Sequence, residues 1–531
     1  MVKDKQALWL TALVVGWGFD LLYWQKPLGV SFAIHILLAV GALLFLAQRE
    51  KQRPAALSFG LIGGVLLFSL LSFIRQEPFT HALNHLTSLG IGAVLLLSFR
   101  SGRWFRFSLV DYLVGGFKLL LNALILPINL ISEKNEGEKQ EQEEEGEVKS
   151  RPSFWKRALP YLRGVLLALP VLAVFAALFA AADPIFADRL QDLIEYLKLE
   201  KLPEYIARLV LIMIWTFLTA GLMLYALLKS EEEPLIGKGD TWPPRFLGFT
   251  ETTIILGSVN LLFFSFVTIQ LRYFFGGKKN ISLQGYTYAE YARRGFGELL
   301  AAAFISLLLF MLLSSITRRE TRRSKRIFTG LTISLTVFVG VILASSFQRL
   351  RLYEMAYGFT RLRTYAHVCI LWIGVLFLSI LVLEILHQWR YFTTAGLIAV
   401  LGFVITLNAI NVDAFITRRN VSRAADEQPI DIDYLTGLSN DSVPQLIRLA
   451  DSPRLTPSQQ NELGASLACR AALLRDRPAS WQGFLWSRYR AKKLLNQNRN
   501  LWRNYTTFRE NDVWYVLLEG EKEYCKPNIW D

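Results

Sequence analysis

The chain has 531 residues, 53% of them hydrophobic and 13% aromatic, with a formal net charge of +14. Apolar residues gather in blocks of about 20, the length that carries a helix across a bilayer; this excludes an ordinary soluble chain, and the absence of alternation excludes a spanning β-barrel. The positive excess lies mostly in short loops beside these blocks, so it reads as a topology signal and an attraction to anionic lipid, not as a nucleic-acid surface.

In chain order, spans are expected at 7–24, 29–47, 55–74, 80–98, 163–182, 205–228, 250–273, 295–316, 327–347, 364–386 and 393–412. The fold class is therefore all-α: a polytopic transmembrane helical bundle of about eleven spans, followed by a small soluble helical tail. Lys3 and Lys5 precede the first span, Arg49, Lys51 and Arg53 follow the second, and Arg100, Arg103 and Arg106 follow the fourth. Short-loop Lys and Arg mark the cytoplasmic side, so the amino terminus is cytoplasmic. The start runs straight into an uncleaved first helix and not a signal peptide.

Trp104 to Ile131 is interrupted by Asp111 and Lys118. A charge near the bilayer centre costs about 2.5–3.5 kcal/mol, so a helix lying in the interface is the cheaper reading. This segment closes a front module of four spans, residues 1–131. Residues 133–147 are all Glu, Lys, Gln, Asn or Gly, cannot bury a core, and read as the heart of a disordered linker over 132–152. A rear module of seven spans covers 153–420. Within it, Asp183-Pro184 suits a helix start, and Arg318, Arg319, Arg322, Arg323, Lys325 and Arg326 form the strongest positive cluster, on the cytoplasmic side after eight crossings. Eleven crossings put the tail, 421–531, outside. In the tail, Thr456-Pro457 reads as a helix start, and 480–495 carries aromatic and basic residues together, a pattern that suits either rest on anionic lipid or packing against the membrane domain. Cys369, Cys469 and Cys525 contain no CxxC pair, so neither a zinc site nor a disulfide framework is expected.

On the outer side the chain places polar residues of unusual density. One stretch runs from Arg349 to His367 with four arginines, three tyrosines, Glu354 and His367. Gly358 can end one helix and Thr360 can cap the next. Arg361 and Arg363 then sit at a helix amino terminus, where a cation is locally unfavourable, unless an acidic group faces them: Glu354, Glu290, Asp413, a lipid phosphate or a substrate anion. The candidate anion-binding set is Arg272, Glu290, Tyr291, Arg293, Arg294, Arg351, Tyr353, Glu354, Tyr357, Arg361, Arg363 and Asp413. An internal salt-bridge network explains the same residues without a ligand. Thr287 with Glu290 fits a capping box for the eighth span. Inside spans, Asn260 and Asn408 read as interhelical hydrogen bonds. His81 and His85 stand at metal-compatible spacing without a third ligand, while His35 and Asp20 read as isolated structural residues. The sequence holds no HExxH, GxSxG, P-loop or paired CxxC motif, so no catalytic residue, metal or cofactor is assigned.

The stretches Gln270-Leu-Arg-Tyr-Phe-Phe-Gly-Gly277, Tyr288-Ala-Glu-Tyr-Ala-Arg-Arg-Gly-Phe296, Tyr357-Gly-Phe-Thr-Arg-Leu-Arg363 and Leu407-Asn-Ala-Ile-Asn-Val-Asp-Ala-Phe415 resemble a family of bacterial polytopic membrane proteins described only as a domain of unknown function (4173-like). The resemblance spans roughly 160–450 and implies a multi-pass inner-membrane location without an established activity. Three functions stay open: binding or transport of an anionic lipid or metabolite, an enzyme acting on a lipid-linked phosphate, and a structural or regulatory partner of a membrane complex. The corresponding partners are anionic lipid headgroups, a small anion, or a membrane protein; no nucleic acid is among them.

Overall fold

The apolar blocks set the helix lengths. The computed structural model describes residues 2–144, 172, 175–176, 178–189, 201–231, 246–275, 296–386, 388, 391–424, 430–453, 455–476 and 480–526, leaving out the side chains of 133–144, 271–275 and Phe296. Its membrane-length helices are α1 (Lys5–Tyr23), α2 (Val30–Arg49), α3 (Ala56–Ile74), α4 (Pro78–Ser98), α5 (Leu109–Glu144), α6 (Leu202–Leu228), α7 (Phe249–Phe275), α8 (Phe296–Ile316), α9 (Arg322–Tyr357), α10 (Arg361–Ile385) and α11 (Phe392–Ile410). Each contains a stretch long and apolar enough to cross a membrane, eleven among the described residues.

The number equals the expectation, but the set differs. The stretch Leu109–Ser132 of α5 is long and apolar enough to cross, where an interfacial helix was expected. Asp111 lies in the first turn of α5, not at its middle. Ser108 N and Oγ each donate to Asp111 Oδ2 at 2.8 Å, and Asp111 N donates back to Ser108 Oγ at 3.2 Å. Of the two charges that argued against a span, Asp111 is a helix cap, while Lys118 lies inside the apolar stretch. Most of the expected span 163–182 lies outside the described residues. The helix also runs on to Glu144, where a disordered linker was expected from 132: Glu, Lys and Gln cannot build a core, but they extend an existing helix readily. Residues 145–152 lie outside the described set.

The chain forms two compact units. The first comprises Met1–Trp24 and Leu120–Tyr225. Here Asp20 is not isolated. Arg208 of α6 grips it with Nε at 2.9 Å from Oδ1 and Nη2 at 2.6 Å from Oδ2, while Phe19 stacks on Trp215 at 4.0 Å. The two helices approach so closely that a Cβ on Gly16 would lie 2.4 Å from Thr216 Oγ1. Asp183 caps as expected, accepting from Ile185 N at 2.9 Å.

The second unit comprises Gln25–Leu119 and Ala226–Asp531. Its buried centre between α7, α8, α9 and α10 includes Leu256, Leu307, Phe310, Phe328, Leu335 and Phe377. Asn260 Nδ2 bridges to Leu331 O at 3.1 Å, and Asn84 and Asn408 exchange side-chain hydrogen bonds at 3.0 and 2.8 Å, which joins helices as expected.

Contacts sort the helix ends of this unit into two groups. At one end, Ala55 N donates to Phe99 O, Thr394 Oγ1 to Phe105 O, and Leu247 N to Ile316 O, while Thr329 Oγ1 donates to Glu384. Arg49, Lys51, Arg53, Arg100, Arg103, Arg106 and the cluster from Arg318 to Arg326 lie in or beside these segments. At the other end are Pro27–Gly29, Arg75–Glu77, the turn Gly358–Thr360, and Asn411. Helix α9, with 36 residues, is about 54 Å long. It exceeds the roughly 30 Å hydrocarbon layer, and its apolar stretch lies between a basic start and the polar Arg349–Tyr357 finish.

The tail is packed onto this second end. Helices α12 (Val412–Ala424), α13 (Ile432–Thr436), α14 (Val443–Ala450), α15 (Pro457–Asp476) and α16 (Trp486–Gln497) follow. Thr456 and Gln459 cap α15 reciprocally. Val368 of α10 and Leu407 of α11 share one buried cluster with Ile416, Leu435, Leu446, Leu463 and Leu495. After the helices comes a three-stranded antiparallel sheet, β1 (Thr507–Glu510), β2 (Val513–Leu518) and β3 (Glu521–Tyr524), in the order β1-β2-β3. Its turns use left-handed backbone at Asn511-Asp512 and Glu519-Gly520. A disulfide joins Cys469 of α15 to Cys525, where no disulfide framework was expected; spacing along the chain carried no sign of a pair separated by 56 residues.

Candidate functional site

The α9–α10 turn is built where two charged helix ends meet. Gly358 closes α9 at φ 81°, with its N–H on Glu354 O at 2.8 Å. This left-handed position favours glycine, and a Cβ there would lie 2.7 Å from Asn420 Oδ1. Asn420 reads the next residue like a neighbouring strand: Phe359 N donates to its Oδ1 at 2.7 Å, and its Nδ2 donates to Phe359 O at 2.9 Å. Thr360 occupies the N-cap of α10 but its side chain makes no cap hydrogen bond. Arg361 N donates instead to Tyr434 Oη at 3.0 Å. Burial pushes the Tyr434 hydroxyl above its ordinary range.

Arg361 is satisfied internally. Its Nε lies 2.8 Å from Asp413 Oδ1 and its Nη2 2.7 Å from Asp413 Oδ2, a two-pronged pair with a carboxylate that is fully buried. Asp413 Oδ2 also accepts from Ser439 N at 2.8 Å. Asp413 was one of the acidic groups expected to face Arg361, and among the described residues its carboxylate pairs with it.

A second layer extends the network to the α3–α4 turn. Tyr365 Oη donates to Glu77, whose carboxylate also caps α4 through Phe79 N at 3.0 Å and Thr80 N at 2.7 Å. Asp441 Oδ2 accepts from Gln76 N at 2.8 Å and Glu77 N at 3.2 Å. Burial pushes the Asp441 carboxyl up from the usual carboxylate range, with the Gln76 N–H and the Arg75 charge pulling it partly back. Arg470 donates to the carbonyls of Thr436, Leu438 and Ser439. Glu77, Asp441, Tyr365, Ser439 and Arg470 were absent from the residues chosen from sequence.

The remaining expected residues divide. Glu354 is turned inward, 1% exposed, with its Oε1 3.0 Å from His367 Nδ1. Arg363 lies over the Tyr353 ring at 4.0 Å and donates to Gly358 O and Tyr357 O; none of these partners carries a charge. Tyr353 and Tyr357 meet edge to face at 5.1 Å. Arg423 Nη1 donates to Met355 O and Ala356 O, and burial together with the Arg363 charge draws its pKa down. Arg351 is exposed and has no hydrogen bond or ion pair with the described residues. Arg272 belongs to α7 but its side chain lies outside the described set, as do Thr287, Glu290, Tyr291, Arg293 and Arg294 altogether. The described arginines thus do not converge on one hollow. A separate apolar groove of about 350 Å³ lies between α9 and α10, lined by Leu343, Ala344, Phe347, Ile370, Leu371, Gly374, Val375 and Leu378.

His81 and His85 turn ring nitrogens to backbone carbonyls, Arg75 O at 3.2 Å and His81 O at 2.8 Å. Among the described residues no group of three His, Cys, Asp or Glu side chains is arranged to hold a metal.

Two outcomes test this construction. Asp413→Asn leaves the half-buried Arg361 guanidinium without its counter-charge and should cost up to about 3–5 kcal/mol of stability, whereas Asp413→Leu with Arg361→Met should cost much less; denaturant unfolding in detergent compares them, and equal losses would remove the pair from its central place. For Asp441, a raised native pKa means that the native state holds the proton more tightly than the unfolded chain. Its contribution is fully present below the unfolded value, about 3.9, and is lost as pH rises through the native one. Asp441→Asn should flatten that decline in melting temperature with pH.

The described chain matches the family described as "Domain of unknown function (DUF4153)" over residues 62–449. The match begins well before the segment that carried the sequence resemblance, and the family's number differs from the 4173-like one expected. No curated protein matches the chain, and no solved structure does. With the family pattern covering most of its length, this multi-helix membrane chain belongs to the DUF4153 family.

Proposed function

We propose that the protein binds an anionic lipid on the outside of its α9–α10 hairpin, with an acyl chain in the apolar groove and the headgroup at Arg351 and Arg363. The observation that carries this reading is the alignment of groove and charge on two helix faces. On α9, Ala344, Phe347, Arg351 and Met355 follow one another at three- and four-residue steps. On α10, Arg363, His367, Ile370 and Gly374 do the same, and such residues stack along one side of a helix. A cylinder of hydrocarbon lying between Leu343 and Leu378 therefore leads toward two guanidinium groups whose described surroundings supply no carboxylate. Arg423 adds positive field beside Arg363, and the exposed Met355, Tyr357 and Leu362 suit the lipid boundary. Arg361 and Asp413 are structural in this reading, because each saturates the other.

The reading is tested with the full chain in nanodiscs of phosphatidylcholine with or without phosphatidylglycerol, scored by lipids retained in native mass spectrometry. At about 1 kcal/mol per basic residue, Arg351→Ala with Arg363→Ala should lower the preference for phosphatidylglycerol about 30-fold. Gly374→Leu, at a position where a new Cβ meets nothing within 4 Å, should reduce retention of both lipids. Equal retention of phosphatidylglycerol by the parent chain and the double variant would overturn the assignment.

The same reading has the tail end outside the cytoplasm, in a bacterial inner membrane with the amino terminus within. Two observations support it. Basic residues gather at the opposite end of the second unit, and that grouping rests on contacts within the unit, so it does not depend on counting spans through 145–201. A disulfide at Cys469–Cys525 also suits an oxidising compartment. Alkylation of intact cells, before and after reduction, should find both thiols blocked until reductant is added. Free thiols at 469 and 525 in untreated cells would reverse the orientation.

A further inference from the structure

We propose that α16 and the turn before it form an interfacial foot, with Trp486 and Tyr489 entering the headgroup layer beside the bundle and Arg490 and Lys493 binding its anionic lipid. This surface is separate from the α9–α10 groove and does not depend on it.

The argument starts from helix geometry. At 100° per residue, Trp486, Tyr489, Arg490 and Lys493 fall within one narrow stripe of α16. All four are exposed, while Ser487, Ala491 and Leu495 on the opposite side are buried. Trp486 is 48% and Tyr489 49% exposed, and Trp481 in the preceding turn is 54% exposed. Trp486, Tyr489 and the exposed Phe484 lie ring to ring, and an apolar patch of this kind is out of place in water.

Its height along the bundle is fixed by backbone. Val30 N, the first residue of α2, donates to Phe484 O at 3.0 Å. Gly29 and Gly483 are pressed together so closely that a Cβ on Gly29 would lie 2.5 Å from Gly483 C. Rings then run without a break from a membrane helix to the foot: Phe73 in the last turn of α3, Phe484 at 6.5 Å, Tyr489 at 5.9 Å from Phe484, and Trp486 at 5.7 Å from Tyr489. The aromatic stripe thus sits level with the ends of α2 and α3, where hydrocarbon gives way to headgroups and where Trp and Tyr gather. Arg490 and Lys493 continue the stripe one turn farther along α16, and cations beside an aromatic anchor match an anionic leaflet. A lipid surface fits this combination better than a protein partner because the stripe extends an apolar boundary that the spans already define.

The test uses the full chain with Cys369→Ser, the native disulfide intact, and a bimane label on Tyr489→Cys. The control label is placed on Asn511→Cys, in the turn between β1 and β2. The protein is reconstituted into vesicles of phosphatidylcholine or of phosphatidylcholine with phosphatidylglycerol. Doxyl-labelled lipid should quench most of the Tyr489→Cys signal and little of the Asn511→Cys signal, with aqueous iodide giving the reverse order. Phosphatidylglycerol should deepen the doxyl quenching, and Arg490→Gln with Lys493→Gln should abolish that increment. If iodide reaches both labels equally, the stripe faces water and the proposal fails. A Tyr489→Cys label shielded from iodide and from doxyl lipid alike would mean that protein covers the stripe, which also overturns it. Quenching that is identical in the two lipids and unchanged in the double variant would overturn the anionic part.

Discussion

The way the tail meets the helix ends of the second unit depends on one ion pair around a buried carboxylate. Asp413 is wholly enclosed, and Arg361 reaches it with two parallel N–H groups. Taking a carboxylate out of water costs several kcal/mol, recovered only when geometry and additional donors are good. Here the added donor is Ser439 N from the tail. The pair thereby fixes three things at once: the start of α10, the start of α12, and the turn through which the tail returns to the bundle. Asn420 and Tyr434 hold the same α9–α10 turn from the tail side, so the tail completes the hydrogen bonding of the membrane helices' ends.

That arrangement changes what the arginines of this region can do. A guanidinium spent on a buried carboxylate is unavailable to a ligand, and Arg361 is spent. Arg363 differs by two residues along the helix, about 200° around it, and meets only a ring face and two carbonyls. Carbonyls at the end of α9 favour a cation without neutralising it, so the charge stays effective toward an anion outside. In the lipid-binding proposal, the neighbouring roles of counter-ion and recognition group would follow from helix periodicity.

Much of this was legible in the sequence. The apolar blocks gave the helices, Gly358 marked the end of α9, and the odd placement of two arginines at a helix start called for an acid, with Asp413 among those named. What escaped had physical causes. Starting α5 a few residues too early turned Asp111 from a cap into an intramembrane charge. The partners of Glu77 and Asp441 lie 288 and 365 positions away along the chain, beyond any local pattern. Cys469 and Cys525 bear no motif, and the edge strands β1 and β3 are short and charged, with alternation hidden by Glu and Lys on exposed β3. A buried hydrogen-bonding role leaves little trace in one sequence, because Glu, Tyr and Ser serve equally well on a surface.

The union of Gln76 and Glu77 with Asp441 carries a consequence for biogenesis. The amides at the start of α4 are made early, but the carboxylate that receives them is translated 365 residues later. At about 5–20 residues per second, ribosomes take roughly 20–70 s to cover that interval. Throughout it the nascent helical hairpin must sit in the bilayer with its exit turn open to water or to insertion factors. The last step of maturation is then the arrival of a lid that the first helices have been waiting for.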